Sequence, residues 1–360
     1  MIETTYAVIT GTGSYIPTKH IRNEDFLLNE FYDSDGKKLE KANQEIIDKF
    51  FEITTIGERR YVTDNLSTSD IACYAALEAI NSSGIDKEEL DYIIVAHNFG
   101  EVKKNHNRID VLPCLAARVK HKLGIINPDT VAYDLLFGCP GWLQAVIQAD
   151  YLIRSGDARK VLVIGAEILS RVSDPHDRDT MLYSDGAGAT IFEARKSEDP
   201  IGVLAHKTRS DTLLNSRMLY MGKSFKPDSE IKDDIFVKMF GRKLYQYAIE
   251  NVPQTIKECL DKCNLHLSEI KKALIHQANG KMDAAILKRL FGLYEIADVP
   301  EDIMPMTISW LGNSSVATIP TLLDLILKDQ LQPHRINKGD NLVFASVGAG
   351  MNINALIYKM

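Results

Sequence analysis

Residues 133–142 read Tyr133-Asp134-Leu135-Leu136-Phe137-Gly138-Cys139-Pro140-Gly141-Trp142. An extended stretch runs into a Gly-Cys-Pro-Gly turn and then into the apolar series Leu143, Val146, Ile147, Tyr151 and Ile153. That spacing predicts a buried helix over Trp142–Ser155. Gly138 and Gly141 permit a sharp turn, and Pro140 suits the first helical position, where a missing N–H costs little. Cys139 then stands at a helix N-terminus, where the dipole and free N–H groups favour thiolate and lower the thiol pKa. An inert packed cysteine is the other reading of this segment. Packing does not require glycines on both sides of it, which favours the reactive reading.

Outward from this turn, short β-branched runs alternate with amphipathic stretches, which predicts α/β layers. The predicted strands are Tyr92–Ala96, Val161–Gly165, Ala189–Glu193, Ala273–His276, Asn341–Ser346 and Asn354–Tyr358. The predicted helices include Thr68–Ser83, Trp142–Ser155, Gly241–Cys263, Met282–Gly292 and Ala317–Lys328. The polar stretch Phe31–Lys49 reads as an inserted loop or a surface helix. Two echoes suggest a duplicated unit. Residues 85–98 and 265–278 each have a polar lead-in and an apolar strand that ends at histidine, His97 and His276. Residues 185–191 and 346–352 each carry Gly-Ala-Gly, read as a turn at the edge of a strand. The expected halves are 1–195, with the cysteine, and 196–360. A site can form where the strand ends of two such halves meet.

The second half supplies two partners for the thiol. His276 closes a predicted strand and is followed by Gln277, Ala278, Asn279 and Gly280. Gly312-Asn313-Ser314-Ser315 reads as a second strand-to-helix turn, with Ser314 or Ser315 as the helix cap. Cys, His, Asn is also the order in papain-like proteases, but their Cys-Gly-Ser-Cys-Trp type of signature is absent.

Bulk properties narrow the classes. The chain has 360 residues, a net charge of −7 and 45% hydrophobic residues, an ordinary globule with two domains or a doubled core. General affinity for nucleic acid is not expected at this charge. The opening residues Met1–Thr5 lack a basic region and an apolar segment, so no secretory leader is expected. No apolar run approaches the roughly 20 residues of a membrane helix. Cys73, Cys114, Cys139, Cys259 and Cys263 are odd in number and form no zinc-type pairs. No metal is expected, and a reducing cytoplasm fits.

Taken together these segments resemble the thiolase-fold condensing enzymes, and within them the 3-oxoacyl-[acyl-carrier-protein] synthase III family, over nearly the whole chain. Residues 9–17 are similar to its opening strand and turn, His276-Gln277-Ala278-Asn279 to its His-Gln-Ala-Asn, and Gly312-Asn313-Ser314-Ser315 to its Gly-Asn-Thr-Ser. Residues 173–178, 185–189 and 348–350 resemble further family segments. The resemblance implies a five-layered α-β-α-β-α fold of two pseudo-symmetric halves. It implies Cys139, His276 and Asn313 as the catalytic set, with the N–H groups of Cys139 and Gly350 as the oxyanion hole. Arg178 and Asn279 would contact the coenzyme or carrier arm. The substrates implied are acyl-CoA or acyl-ACP and a malonyl or 3-oxoacyl thioester, joined by decarboxylating Claisen condensation with no cofactor. Acyl carrier protein and a second copy of the chain are the implied partners.

Three positions depart from the family pattern. Pro140 stands where the family has Ala, and Gly57 where it has a phosphate-contacting Arg. Leu112 replaces a Phe that often bounds the acyl pocket from the partner subunit. These bear on the primer and the phosphate grip, and a secondary-metabolite role fits them. Other readings of the same residues are acyl transfer without decarboxylation and a non-catalytic subunit of this fold. A hydroxymethylglutaryl-type synthase would need a glutamate base, and no glutamate sits in a matching motif.

Overall fold

The computed structural model describes residues 3–104, 108–229 and 234–360; Met1 and Ile2 of the opening segment lie outside them. The principal strands are β1 (Thr4–Tyr15), β2 (Tyr92–His97), β3 (Val131–Leu136), β4 (Lys160–Ile168), β5 (Asp185–Ser197), β6 (Gly202–Ser210), β7 (Ile270–Ile275), β8 (Asn341–Gly348) and β9 (Asn352–Lys359). The main helices are α1 (Asn43–Thr54), α2 (Thr68–Ser83), α3 (Leu115–Leu123), α4 (Gly141–Ser155), α5 (Gly241–Lys262), α6 (Gly280–Gly292) and α7 (Thr318–Leu327). One sheet has the order β1-β5-β4-β2-β3 and the other β6-β9-β8-β7.

Alternation along the strands assigns the layers. In β4, Leu162 and Ile164 face α2 and α3 on the outside, while Val161 and Val163 face α4 and α7. In β8, Leu342 and Phe344 meet α4 and α7 from the other side, while Val343, Ala345 and Val347 meet α5 and α6. The stack is therefore helices, sheet, helices α4 and α7, sheet, helices, as the five-layered expectation has it. Local signals end the helices where they stop. Ser67 and Asp70 form a capping box at the start of α2, and Gly84 at φ 72° closes it.

The first echo is structural. A short 3-10 turn, Lys87–Glu89 or Leu267–Glu269, precedes β2 and β7 respectively. Strand β2 pairs parallel with β4, which pairs antiparallel with β5, and β7-β8-β9 repeats that pattern. The second echo is looser than the sequence suggests. Gly348-Ala349-Gly350 runs from the end of β8 into the tight β8–β9 connection, whereas Gly186-Ala187-Gly188 lies inside β5. Sixteen residues, 169–184, link β4 to β5, so no tight turn is needed there. The stretch Phe31–Lys49 is irregular up to Ala42 and then enters α1, whose Ile46, Ile47 and Phe50 are buried.

Candidate active site

Cys139 lies between β3 and α4, after Gly138 at φ 67°. Pro140 is the N-cap of α4 rather than its first residue, because the helix starts at Gly141. The hairpin turn of the other sheet rests on this corner. A Cβ on Gly348 would come within 2.5 Å of the Cys139 nitrogen, and one on Gly138 within 2.7 Å of the Ala349 nitrogen. The glycine loop that carries Gly350 is thus packed on the nucleophile turn, and only glycine fits that approach.

The expected lowering of the thiol pKa is reversed. Burial pushes the Cys139 thiol up to about 11, and the nearby Glu167 carboxylate adds to the rise. The Ser315 hydroxyl acts the other way, donating to Cys139 Sγ at 3.3 Å. Desolvation in the five-layer stack outweighs the hydrogen bonds from Ser315 and from the cysteine's own backbone N–H.

Asn313 does not follow a strand. It follows a single helical turn, Ile308–Leu311, which Gly312 ends at φ 64°. Its backbone is held on both sides, by Asn313 N–H to Leu182 O and Ser184 N–H to Asn313 O, each 2.9 Å. The Ser315 N–H donates to Asn313 Oδ1 at 2.9 Å, which turns the amide nitrogen away from the turn as a donor. Neither Ser314 nor Ser315 caps the following helix; the Ser315 side chain is spent on the sulfur instead. The segment reaches the first half because Gly165 of β4 yields space: a Cβ there would lie 2.3 Å from Val316 O.

His276 stands at the end of β7, its N–H bonded to Ala345 O of β8 at 2.8 Å. It is therefore at the same strand edge as the Gly348 turn that covers Cys139. Its ring is buried, Nδ1 has no partner, and burial pushes its pKa down to about 4. The imidazole is neutral at neutral pH. Gln277 staples this corner, accepting from Thr307 N and Ile308 N and donating to Pro305 O.

The remaining expected residues lie further out. Asn279 is the N-cap of α6, accepting from Met282 N at 3.1 Å. Arg178 is exposed and opens the 3-10 turn Arg178–Leu182, next to Tyr183, which bridges to Asn313. Leu112 is 83% exposed, in a run of exposed apolar residues with Ile109 and Val111. Among the described residues no cluster of three His, Cys, Asp or Glu side chains is placed to hold a metal ion.

Two residues near the nucleophile were not singled out by sequence. Asn98 donates to Ser315 Oγ at 3.0 Å and to Glu167 Oε2 at 2.6 Å. Glu167 is wholly buried on β4, and burial pushes its carboxyl up to about 7. The only sequence signal was the position of Asn98, directly after the histidine of the first echo, and of Glu167, a charge inside an apolar strand.

This arrangement has known relatives. Residues 133–212 match the family model for 3-oxoacyl-[acyl-carrier-protein] synthase III, and residues 260–360 match the model for its C-terminal part. The chain is 33% identical over 359 residues to beta-ketoacyl-[acyl-carrier-protein] synthase III 1 of Vibrio cholerae serotype O1, covering 98% of this chain and 99% of that protein. The chain belongs to the 3-oxoacyl-[acyl-carrier-protein] synthase III family. It is a condensing enzyme of the acyltransferase class. The crystal structure of the synthase III of Aquifex aeolicus superposes with a TM-score of 0.78 at 28% identity, over 98% of this chain and 100% of that one. A priming β-ketosynthase from the R1128 polyketide pathway superposes at 0.79, with 22% identity over 100% of this chain and 98% of that one, a likeness of fold. Among the described residues, no helix of this synthase III relative is long and apolar enough to cross a membrane.

Proposed function

We propose that this synthase III relative joins an acyl thioester to a malonyl thioester by decarboxylating Claisen condensation, with Cys139 carrying the acyl group. The observation that carries this reading is the position of Ser315. It touches Cys139 Sγ through its hydroxyl and Asn313 Oδ1 through its N–H, so one residue ties the nucleophile to the amide donor.

In the first step the Cys139 sulfur attacks the acyl carbonyl carbon, and the carrier thiol leaves with the cysteine's proton. The N–H groups of Cys139 and Gly350 hold the oxyanion. In the second step the malonyl C–C bond to the carboxylate breaks and carbon dioxide leaves. The enolate oxygen accepts from His276 Nε2–H and the Asn313 amide. The carbanion forms the new C–C bond to the acyl carbon, the C–S bond breaks, and the released Cys139 thiolate takes one proton from solvent to restore the thiol. Neutral donors suit this step, because they bind an enolate without passing it a full proton. The steps balance without a metal or a redox group.

Arg178 and Asn279 are proposed contacts for the coenzyme or carrier arm, with acyl carrier protein and acyl-CoA as the thioester sources. A homodimer is proposed, supported by β3, which is an edge strand flanked by exposed Val131, Leu136 and Leu112. Division at residue 195 into an N-terminal nucleophile half and a C-terminal His and Asn half, and a cytoplasmic location, belong to the same proposal.

The test is intact-protein mass spectrometry after incubation with a panel of acyl-CoAs, followed by malonyl thioester. The acyl adduct should vanish in Cys139→Ala and persist in Asn313→Ala, while carbon dioxide release and 3-oxoacyl product are lost in both. An adduct that survives Cys139→Ala overturns the assignment. Product formed without carbon dioxide would mean acyl transfer alone.

A further inference from the structure

We propose that Glu167, Asn98 and Ser315 form a polar string that fixes the Ser315 hydroxyl as a hydrogen-bond donor to the Cys139 sulfur. The inference rests on the reading of Cys139 as the acyl carrier and goes beyond it, adding one group that touches the reacting atom and two that position it.

The direction of the string follows from counting donors. The Asn98 amide nitrogen has two hydrogens. One goes to Glu167 Oε2 at 2.6 Å and the other to Ser315 Oγ at 3.0 Å. The Asn98 backbone N–H goes to the same Oε2 at 3.0 Å. That backbone N–H holds Oε2 as an acceptor, and a carboxyl proton has its place on the unpartnered Oε1, so the amide cannot turn over without setting its own oxygen against Oε2. The Ser315 oxygen therefore receives a hydrogen from Asn98. Its own hydrogen is left for Cys139 Sγ, 3.3 Å away. Backbone geometry holds the hydroxyl there. Ser315 has φ 53°, uncommon for a residue with a Cβ, and its N–H is tied to Asn313 Oδ1.

The string reaches from β4 through the end of β2 to the turn before α7; Glu167 and Ser315 are buried and Asn98 is half-buried. Glu167 Oε1 has no partner of its own. The titratable groups that bear on the string are His97, which lies beside the Glu167 carboxylate, and Glu167 itself, whose charge disfavours a thiolate. Glu167 thus harms the thiolate by its charge and helps it by aiming the donor. A donor aimed at sulfur stabilises both the attacking thiolate and the thiolate that leaves after condensation. The string moves no proton, because the thiol proton departs with the carrier thiol.

The experiment measures the rate of Cys139 alkylation by iodoacetamide against pH in the full chain, by mass spectrometry of the Cys139 peptide, so that the other cysteines do not interfere. Ser315→Gly removes the hydroxyl where a glycine backbone is at ease, so folding is retained; melting curves check it. Ser315→Gly should slow alkylation at neutral pH by roughly tenfold or more and move the midpoint to higher pH. Asn98→Leu should do the same, and the double variant should be no slower than Ser315→Gly. Glu167→Gln keeps an acceptor for Asn98 without the charge, so it should alkylate faster than wild type above neutral pH. A wild-type rate and midpoint in Ser315→Gly overturns the proposal, as do additive effects in the double variant. Iodoacetamide reports on the thiol alone, so a failure here is distinct from a failure of the acyl-adduct test.

Discussion

Strands β2 and β7 are counterparts in the two sheets, and each leads to a buried histidine, yet the two rings have opposite fates. His97 has both nitrogens engaged. Its Nδ1 accepts from Gly100 N at 2.9 Å, so its Nε2 carries hydrogen and donates to Asp134 Oδ2 at 2.8 Å. Asp134 also accepts from Leu115 N and Ala116 N, the first turn of α3. His97 is a strut between β2, β3 and that helix. His276 has no partner at Nδ1 and faces the corner where the halves meet. A duplicated scaffold thus engages both nitrogens of one histidine and leaves its counterpart, the proposed enolate donor, without a partner at Nδ1. A lone buried polar atom normally costs stability, and of these two rings His276 is the one that bears the cost.

Four experiments can break or sharpen this contrast. The largest effect is expected from His276→Ala. Condensation should fall by about 10²–10³, the loss typical of one oxyanion donor, while the acyl adduct on Cys139 still forms. Equal loss of acylation would mean that His276 serves the first step as well. His97→Leu should act on stability, lowering the unfolding free energy by about 2 kcal/mol as Asp134 loses a partner. Urea denaturation measures this, and turnover of the folded fraction should fall much less than in His276→Ala.

The pH dependence should also separate the two sides. His276 has its pKa lowered to about 4, so it stays neutral until the pH falls near that value. The acid limb of condensation should therefore show no loss of activity from an imidazole titrating near 6.5. Its contribution to stability is present above the unfolded pKa and lost as the pH falls toward 4. Glu167 has the opposite sign. Its raised pKa, about 7, favours the fold fully below the ordinary carboxylate value, and that contribution is lost as the pH rises through 7. Denaturation at pH 5 and pH 8 should show this decline in wild type and less of it in Glu167→Gln.

The smallest effect concerns Gly57. A Cβ there would meet only Ser309 O at 3.6 Å and Phe51 Cε2 at 3.7 Å, ordinary contacts. Gly57→Arg should leave stability within about 0.5 kcal/mol. It should lower KM for a coenzyme A donor if this position grips phosphate, and an unchanged KM would remove Gly57 from that account.

Much of this was legible locally. The sequence places helix α2 at its observed bounds, Thr68–Ser83, and the structure closes it with the Ser67–Asp70 capping box and Gly84. The strands were read from apolar runs and came out longer at their ends, where β4 and β5 continue through polar residues that only pairing makes extended. Asn313 was found with the wrong neighbour, since one helical turn and one strand end look alike over four residues.

By itself the sequence determined the layers and pointed to the three residues proposed to carry the chemistry, because apolar periodicity and turn residues act over short spans of chain. Only the tertiary structure decided the state of the thiol and the string behind it. Ser315 and Cys139 are 176 residues apart and meet because the turn before α7 packs against β4 at Gly165. Local spacing placed Cys139 at a helix start and so suggested a lowered pKa. Burial between two sheets raised it, and burial is a property of the stacked layers rather than of the turn.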